Sequence, residues 1–405
     1  MKFTNGGVCA AQGFKASGIH VGVKTKNKDK KDLALIVSDN ECTAAAVYTK
    51  NIVKAAPLNI TKEHLINGKA RAVFANSGNA NACAPYGDEN ALRMCKAVAN
   101  QLNINTEDVL VASTGVIGQT LPIDIVESGV KTLVESLSYE GSDDAAAAIM
   151  TTDLTKKECA VEFVIDNKEL TLGGIAKGSG MIHPNMGTML AFITTDCLIS
   201  SDMISKALIE ATNVSFNRVS VDGDTSTNDM LTLMANGLGG NVEITETGKN
   251  YGIFLEALKT VCIELAKMIA SDGEGATHLI TCRVYGAKSE NEAEIISKSI
   301  ISSTLTKAAI FGNDANWGRI LCAMGYSGVE FDTNKVNIAF ESNVGCIKVC
   351  EDGKGLAFDE KTAKTILTEH DITIDVNLNE GEFECTCWGC DITYDYIKIN
   401  GDYRS

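Results

Sequence analysis

Prolines are scarce, four in 405 residues, and no stretch is low in complexity, so no flexible linker is visible and the pieces of the chain should pack tightly. Aromatic residues make up only 6%, and the five histidines stand in scattered contexts that give a Ser/His/Asp arrangement little to work with. Excess basic charge is missing as well. A formal net charge of −16 removes the electrostatic footprint of a nucleic-acid binder and makes small, polar or zwitterionic molecules the easier partners. The opening MKFTNGGVCAAQGF has no apolar core between a basic head and a small-residue cleavage site, and no later window reaches the roughly eighteen uninterrupted apolar residues of a membrane span. A cytoplasmic protein with no membrane segment is expected.

What is present suits a folded enzyme-sized chain. Hydrophobic residues are 45% and charged residues 22%, enough for two or more domain-sized units with substantial cores. The 14 cysteines are spread along a large chain, which fits reduced core thiols better than a disulfide framework.

The apolar runs ALIVSD, TAAAVYT, RAVFANSG and DVLVASTG read as short buried strands ending in Ser, Asn or Gly. Helical periodicity follows in GDENALRMCKAVANQLN, with acidic and Asn cap candidates and apolar residues at Leu92, Cys95, Val98 and Leu102. SSDMISKALIEATNVSFN and YGIFLEALKTVCIELAKMIASDGEG behave alike. After about residue 280 the order becomes strand (HLITCRVYGA), helix (ENEAEIISKSIISSTL), strand (KVNIAF), helix (EKTAKTILTEH) and strands (DITIDVNLN, YDYIKIN). The pattern predicts layered α and β structure, with a main body over 1–280 and a smaller α+β unit over 281–405.

Several generic signatures fail. Neither GLGGNV nor GSGMIH completes G-x-G-x-x-G, since Val242 and His183 stand where the last glycine belongs. DGDTSTND spaces Asp222, Asp224 and Ser226 like a calcium loop, but Thr227 and Leu233 replace the required Gly and Glu. Cys385, Cys387 and Cys390 in CTCWGC lack a partner pair at zinc-finger spacing and are expected as structural thiols, so no metal site is expected. What survives is a set of small, polar, mostly glycine-containing segments at the ends of apolar runs: NSGNANAC, ASTGVIG, MTTD, AKGSGMIHPNMGT, DGEGAT, FGNDANWGRI and KINGDYRS. On local pattern alone, Gly187 before Thr188 is a turn glycine feeding a strand. A threonine nucleophile with an amine as its base is the other use of that residue.

Taken together and in this order, KGSGMIHPNMGTMLAFITTD, SVDGDTSTND, GNDANWGRI and YDYIKINGDYRS resemble the ornithine acetyltransferase family, over essentially the whole chain. The resemblance implies a layered α-β-β-α sandwich, similar to N-terminal-nucleophile hydrolases, with a smaller α+β C-terminal domain. It implies self-cleavage between Gly187 and Thr188 into chains 1–187 and 188–405, two halves that stay together and associate as a heterotetramer. It further implies acetyl transfer from N2-acetyl-L-ornithine to L-glutamate through an acetyl-threonine at Thr188, with Thr114 and Gly115 as oxyanion hole. Substrate binding falls, by resemblance, on Thr151, Lys177, Thr188, Glu274, Asn400 and Ser405. No cofactor is implied, although acetyl-CoA serves some members as a second acetyl donor.

Two positions depart from the family pattern: Gly187 replaces the usual Ala, and His278 replaces the Lys of GATK. Two other classes stay open at this point. One is a self-cleaving amidohydrolase or aminopeptidase that passes the acyl group to water. The other is a non-enzymatic cysteine-rich metal-binding or interaction protein.

Overall fold

A computed structural model describes residues 1–24, 30–183 and 189–402. The chain falls into two units, the first comprising Met1–Gly178, Pro184–Asn217 and Thr225–Leu265, the second Ser179–His183, Arg218–Asp224 and Ala266–Ser405.

The first unit is built on a nine-stranded sheet. Its strands are β1 (Lys2–Thr4), β2 (Phe14–Ile19), β3 (Leu33–Tyr48), β4 (Lys69–Asn79), β5 (Val109–Val116), β6 (Lys157–Ile165), β7 (Lys168–Lys177), β8 (Leu190–Thr195) and β10 (Met230–Ala235), with β9 (Val219–Ser220) belonging to the second unit. The order is β1-β6-β7-β8-β10-β3-β4-β5, with β2 on β3. Two pairs are parallel, β4 with β5 and β8 with β10. Parallel neighbours need a crossover. The helices α2 (Gly87–Leu102) and α5 (Ser201–Asn213) supply these two, while α1 (Ala56–His64), α3 (Ile123–Glu135) and α4 (Ser142–Ile149) complete this part.

Alternation along β3 sorts its side chains to two faces. Leu33 and Leu35 join Phe74, Val109 and Val111 in a core closed by Met94 and Val98 of α2 and Val126 and Val130 of α3. Ala34 and Ile36 join Ile175, Leu190, Phe192 and Met230 against Ala145, Ala148 and Ile149 of α4. Helices thus cover both faces of the sheet, the layering expected from the sequence.

The second unit carries a seven-stranded sheet. Its strands β11 (Leu279–Ala287), β12 (Asn337–Ser342), β13 (Gly345–Glu351), β14 (Lys354–Gly355), β15 (Asp371–Asn377) and β16 (Phe383–Cys390) run in the order β14-β13-β12-β15-β11-β16-β9. The helix α6 (Lys249–Ser271) leads into this unit, and α7 (Glu290–Ser302), α8 (Thr304–Phe311), α9 (Trp317–Gly325), α10 (Glu360–Leu367) and α11 (Tyr394–Gly401) follow. Cys282, Cys385 and Cys387 lie in its core among Ile296, Ile320 and Phe340. All 14 cysteines are free thiols.

Four local expectations need correcting. ALIVSD and TAAAVYT are one strand: β2 pairs with Leu33–Ser38 and β10 with Thr43–Tyr48, so neighbours hold both halves extended while the register to β4 shifts between Val37 and Cys42. Helix α2 is entered through Tyr86 at φ 60 without a side-chain cap, leaving Asp88 and Glu89 in the first turn where the helix dipole favours them. The run ENEAEIISKSIISSTL is broken at Ser303, which accepts the Thr306 N–H and starts a second helix. YDYIKIN is helical, because no sheet edge receives it and Ile397 remains 68% exposed, so its backbone is satisfied by local bonds instead.

Phe74 is fully buried in the α2–α3 core. Phe74→Ala should cost about 3–5 kcal/mol in urea unfolding, whereas Ile52→Ala, at a side chain 97% exposed, should stay within about 0.5 kcal/mol of wild type.

Candidate functional site

The segment ASTGVIG ends β5 in the first unit. Its register to β4 is irregular, with Asn79 opposite both Thr114 and Val116. Gly115 sits at φ +133, and a Cβ there would stand 2.3 Å from the Gly78 carbonyl carbon. Only glycine tolerates both the angle and the approach. Buried amides brace the region: Asn76 Nδ2 donates to Asn79 O at 2.9 Å, Ser113 Oγ to Asn76 Oδ1 at 2.6 Å, and Asn228 Nδ2 to Ala80 O at 2.6 Å and Ser113 O at 2.8 Å.

Thr151 follows the end of α4 and Lys177 ends β7. One buried carboxylate joins them. Asp153, 1% exposed, accepts the Thr151 N–H on Oδ2 at 3.0 Å and the Gly178 N–H on Oδ1 at 2.7 Å. The same Oδ1 meets the Lys157 ammonium at 2.8 Å, both side chains fully buried. Burial opposes the Asp153 charge, but Lys177, Lys157 and these hydrogen bonds outweigh it and hold the carboxyl well below the usual carboxylate range. Because both oxygens of Asp153 are committed, it balances only part of the positive charge that Lys157 and Lys177 bring to it. Lys177, 7% exposed, therefore retains the capacity to attract another anion.

A second buried acid, Asp229, directly precedes β10. Its Oδ2 has no hydrogen-bond partner among the described residues. Burial pushes its carboxyl well above the ordinary range, against the pull of the Ser226 hydroxyl, Lys177 and the Thr49 hydroxyl. Its neighbour Met230 donates to the carbonyl of Met189, at the mouth of β8. Lys30 reaches the Thr151 carbonyl at 3.5 Å, and burial brings the Lys24 ammonium down to about 8.

In the second unit, Glu274 is 6% exposed and Asn400 Nδ2 donates to its Oε2 at 2.7 Å. A Cβ at Gly180 would lie 2.4 Å from the Glu274 carboxyl, so glycine is what lets the acid close on the backbone. The loop is tied at several points. Glu274 N–H donates to Ser179 O at 2.9 Å, Ser179 Oγ to Asp272 O at 2.7 Å, and Thr393 Oγ1 to Gly275 O at 2.7 Å. Asp391 accepts the Thr277 N–H at 2.8 Å and the Thr277 hydroxyl at 2.5 Å, with His278 Nδ1 at 2.9 Å. Burial opposes the Asp391 charge, and the His278 and Thr277 contacts overcome it to hold the carboxyl below its ordinary value. His278, one of the two departures in sequence, thus anchors the Glu274 loop through a buried acid. Asp222, the first acid of DGDTSTND, spends its oxygens on the N–H groups of Met181 at 2.6 Å and Ile182 at 2.9 Å.

The ArgJ family model matches residues 15–405. Arginine biosynthesis bifunctional protein ArgJ 1 of Clostridium acetobutylicum is 51% identical over 97% of this chain and 96% of its own length. The chain belongs to the ArgJ family. The corresponding ArgJ protein of Caldanaerobacter subterraneus subsp. tengcongensis is 50% identical over the whole of both chains. A crystal structure of the argJ protein of Bacillus halodurans shares 46% identity and a TM-score of 0.51, covering 53% of this chain and 100% of its own. ArgJ membership makes the chain an enzyme of arginine biosynthesis. Among the described residues no helix is long and apolar enough to cross a membrane.

Of the positions implied by family resemblance, Glu274 and Asn400 are in contact, Thr151 and Gly178, the residue after Lys177, both donate to Asp153, and Thr114 and Gly115 lie near the end of β5. Gly187, Thr188 and Ser405 lie outside the described residues. Asp153, Asp229, Asn228 and the Lys30 contact were missed in sequence. The only signals were an Asp two residues after Thr151 and the polar run ending in Asn228-Asp229, and neither has a spacing that names a chemistry.

Asp153→Asn removes the carboxylate charge that faces the buried Lys157 ammonium, and should cost about 3–5 kcal/mol in urea unfolding at neutral pH. For Asp229 the sign is opposite. Its raised carboxyl keeps its proton in the folded chain after the unfolded chain has lost it, so stability falls as pH rises above the ordinary carboxylate range. Thermal unfolding of Asp229→Asn should therefore exceed wild type at about pH 7, with the gap closing towards about pH 4.

Proposed function

We propose that the chain cuts itself between Gly187 and Thr188 and that the freed Thr188 then moves an acetyl group from N2-acetyl-L-ornithine to L-glutamate. The observation that carries this is the ArgJ family match over residues 15–405. Within the first unit Lys177 is a buried ammonium, a type that suits a carboxylate, and within the second Glu274 is a buried acid, a type that suits an ammonium.

In processing, Thr188 Oγ attacks the Gly187 carbonyl, the amide becomes an ester, and water releases a carboxylate on Gly187 and an α-amine on Thr188. That amine has a reference pKa near about 7.7 to 8.0, so it accepts a hydroxyl proton that an amide nitrogen could not. In transfer, Thr188 Oγ attacks the acetyl carbonyl, its proton passes to the α-amine and on to the departing ornithine amine, and the C–N bond breaks. Glutamate's amine then attacks the ester and restores the hydroxyl. Both tetrahedral states carry an oxyanion, received by the Thr114 hydroxyl and the Gly115 N–H, each donor worth about 2.7 to 4 kcal/mol of barrier. Thr151, Lys177, Glu274, Asn400 and Ser405 orient the amino-acid part. The word bifunctional in the relatives' names fits a second donor, acetyl-CoA, whose thiolate would leave in place of ornithine. The processed halves would remain paired and associate two by two.

Intact mass tests the first step: wild type should give two fragments and Thr188→Ala one uncut chain. An uncut wild type, or a cut Thr188→Ala, overturns self-processing at this residue. Mixing the processed enzyme with N2-acetyl-L-ornithine should add one acetyl group to the Thr188 fragment, removed on adding glutamate as N-acetylglutamate forms. Acetate release indifferent to glutamate would make the enzyme a hydrolase instead, and a parallel assay with acetyl-CoA and glutamate decides the second donor.

A further inference from the structure

Asn228 stands out among polar groups that the acetyl-transfer steps leave unused. It is 6% exposed, and both donor hydrogens and the oxygen of its amide are engaged. Its two donor hydrogens go to backbone carbonyls on two different strands: Ala80, just beyond β4, at 2.6 Å and Ser113, within β5, at 2.8 Å. Its Oδ1 accepts the Thr227 hydroxyl at 2.6 Å. Ser113 immediately precedes Thr114 and Gly115. The far side of the same turn is held by Ala80 N–H on Val116 O at 3.0 Å and by Asn79 Nδ2 on the carbonyls of Gln119 at 3.1 Å and Thr120 at 3.3 Å.

Regular pairing of β4 and β5 runs through Ser77–Thr114 and Gly78–Gly115 and breaks immediately afterwards, where Asn79 faces both Thr114 and Val116. The parallel ladder therefore stops setting the orientation of the peptides just past Gly115. The Gly115 angle is one that a free glycine would leave readily. Side-chain amides from Asn228, Asn76 and Asn79 take over that task, and Asn228 is the one that reaches in from the loop before β10.

We infer that Asn228 is a positioning residue for the oxyanion-binding pair Thr114–Gly115, acting through the Ser113 carbonyl without touching substrate. This rests on the reading that Thr114 and Gly115 receive the oxyanion. An oxyanion hole acts only if its donors are fixed before charge develops, so a brace one peptide upstream should appear in the rate of the chemical step and leave ground-state binding alone.

The test compares Asn228→Ala, Thr114→Ala and the double variant. Asn228→Ala should lower kcat for acetyl transfer about 10- to 100-fold with KM for N2-acetyl-L-ornithine within about twofold. The loss should appear alike in acetylation of the enzyme and in transfer to glutamate, since both pass an oxyanion. Most tellingly, the double variant should be little slower than Thr114→Ala alone, because residues acting as one unit do not add. A brace that merely supports the fold would give losses that multiply. Urea unfolding of each variant checks folding, and Asn228→Ser serves in the same comparison if the alanine variant does not fold. Wild-type kcat in the Asn228 variants, a change confined to KM, or fully multiplicative losses would overturn the inference. A variant that folds but stays uncut supports it if Thr114→Ala also stays uncut, and overturns it if Thr114→Ala is cut. Thr114→Ala at wild-type rate, or a wild type that takes up no acetyl group, would instead bring down the underlying reading of Thr114.

Discussion

A buried carboxylate, Asp153, is the constraint that holds Thr151 and the end of β7 together in the first unit. It is expensive to bury a charge, and here the cost is offset by a fully buried ammonium and two backbone N–H groups. Those N–H groups belong to Thr151 and to the residue after Lys177, so the interaction that neutralises the buried charge also fixes these two stretches of backbone relative to each other. Folding and local geometry are satisfied by the same three contacts. A hydrophobic replacement of the Asp153–Lys157 pair could keep the core intact and would still release Thr151 and Gly178.

The second unit solves a comparable problem with different parts. Glu274 is held by a loop whose backbone is bonded to Ser179 and to the Asp391–Thr393 connection, while a glycine at 180 clears the space its carboxyl occupies. Here the acid stays available and the neighbours carry the restraint. In Asp153 the acid is fully used and its neighbour Lys177 stays available. The two arrangements thus leave one exploitable charge of each sign.

Strands and long helices were legible because burial imposes period on sequence: RAVFANSG, DVLVASTG and the helices α2, α5 and α6 all lie where their apolar spacing put them. What escaped is what depends on partners far along the chain. The break at SDNE in β3 looks like a turn until β2 and β10 are known to flank it. YDYIKIN alternates like a strand, but nothing pairs with it. Among site residues, Glu274, Lys177 and Asn400 were accessible only because whole segments resemble a family, since each alone reads as a surface group. Asp153, Asn228 and Asp229 were not accessible at all, because their burial depends on segments far along the chain, such as Gly178, 25 positions from Asp153, and Ala80, 148 positions from Asn228. The asymmetry is physical: hydrophobic burial is non-directional and shows in composition, whereas buried polar groups must find particular partners.

The contact between Glu274 and Asn400 bridges 126 positions of sequence, and Asn400 follows every strand of both sheets. The pair therefore closes a span that contains six of the seven strands of the second unit's sheet, β11 to β16, so a chain cut just before Asn400 would keep every strand and still leave Glu274 without this amide.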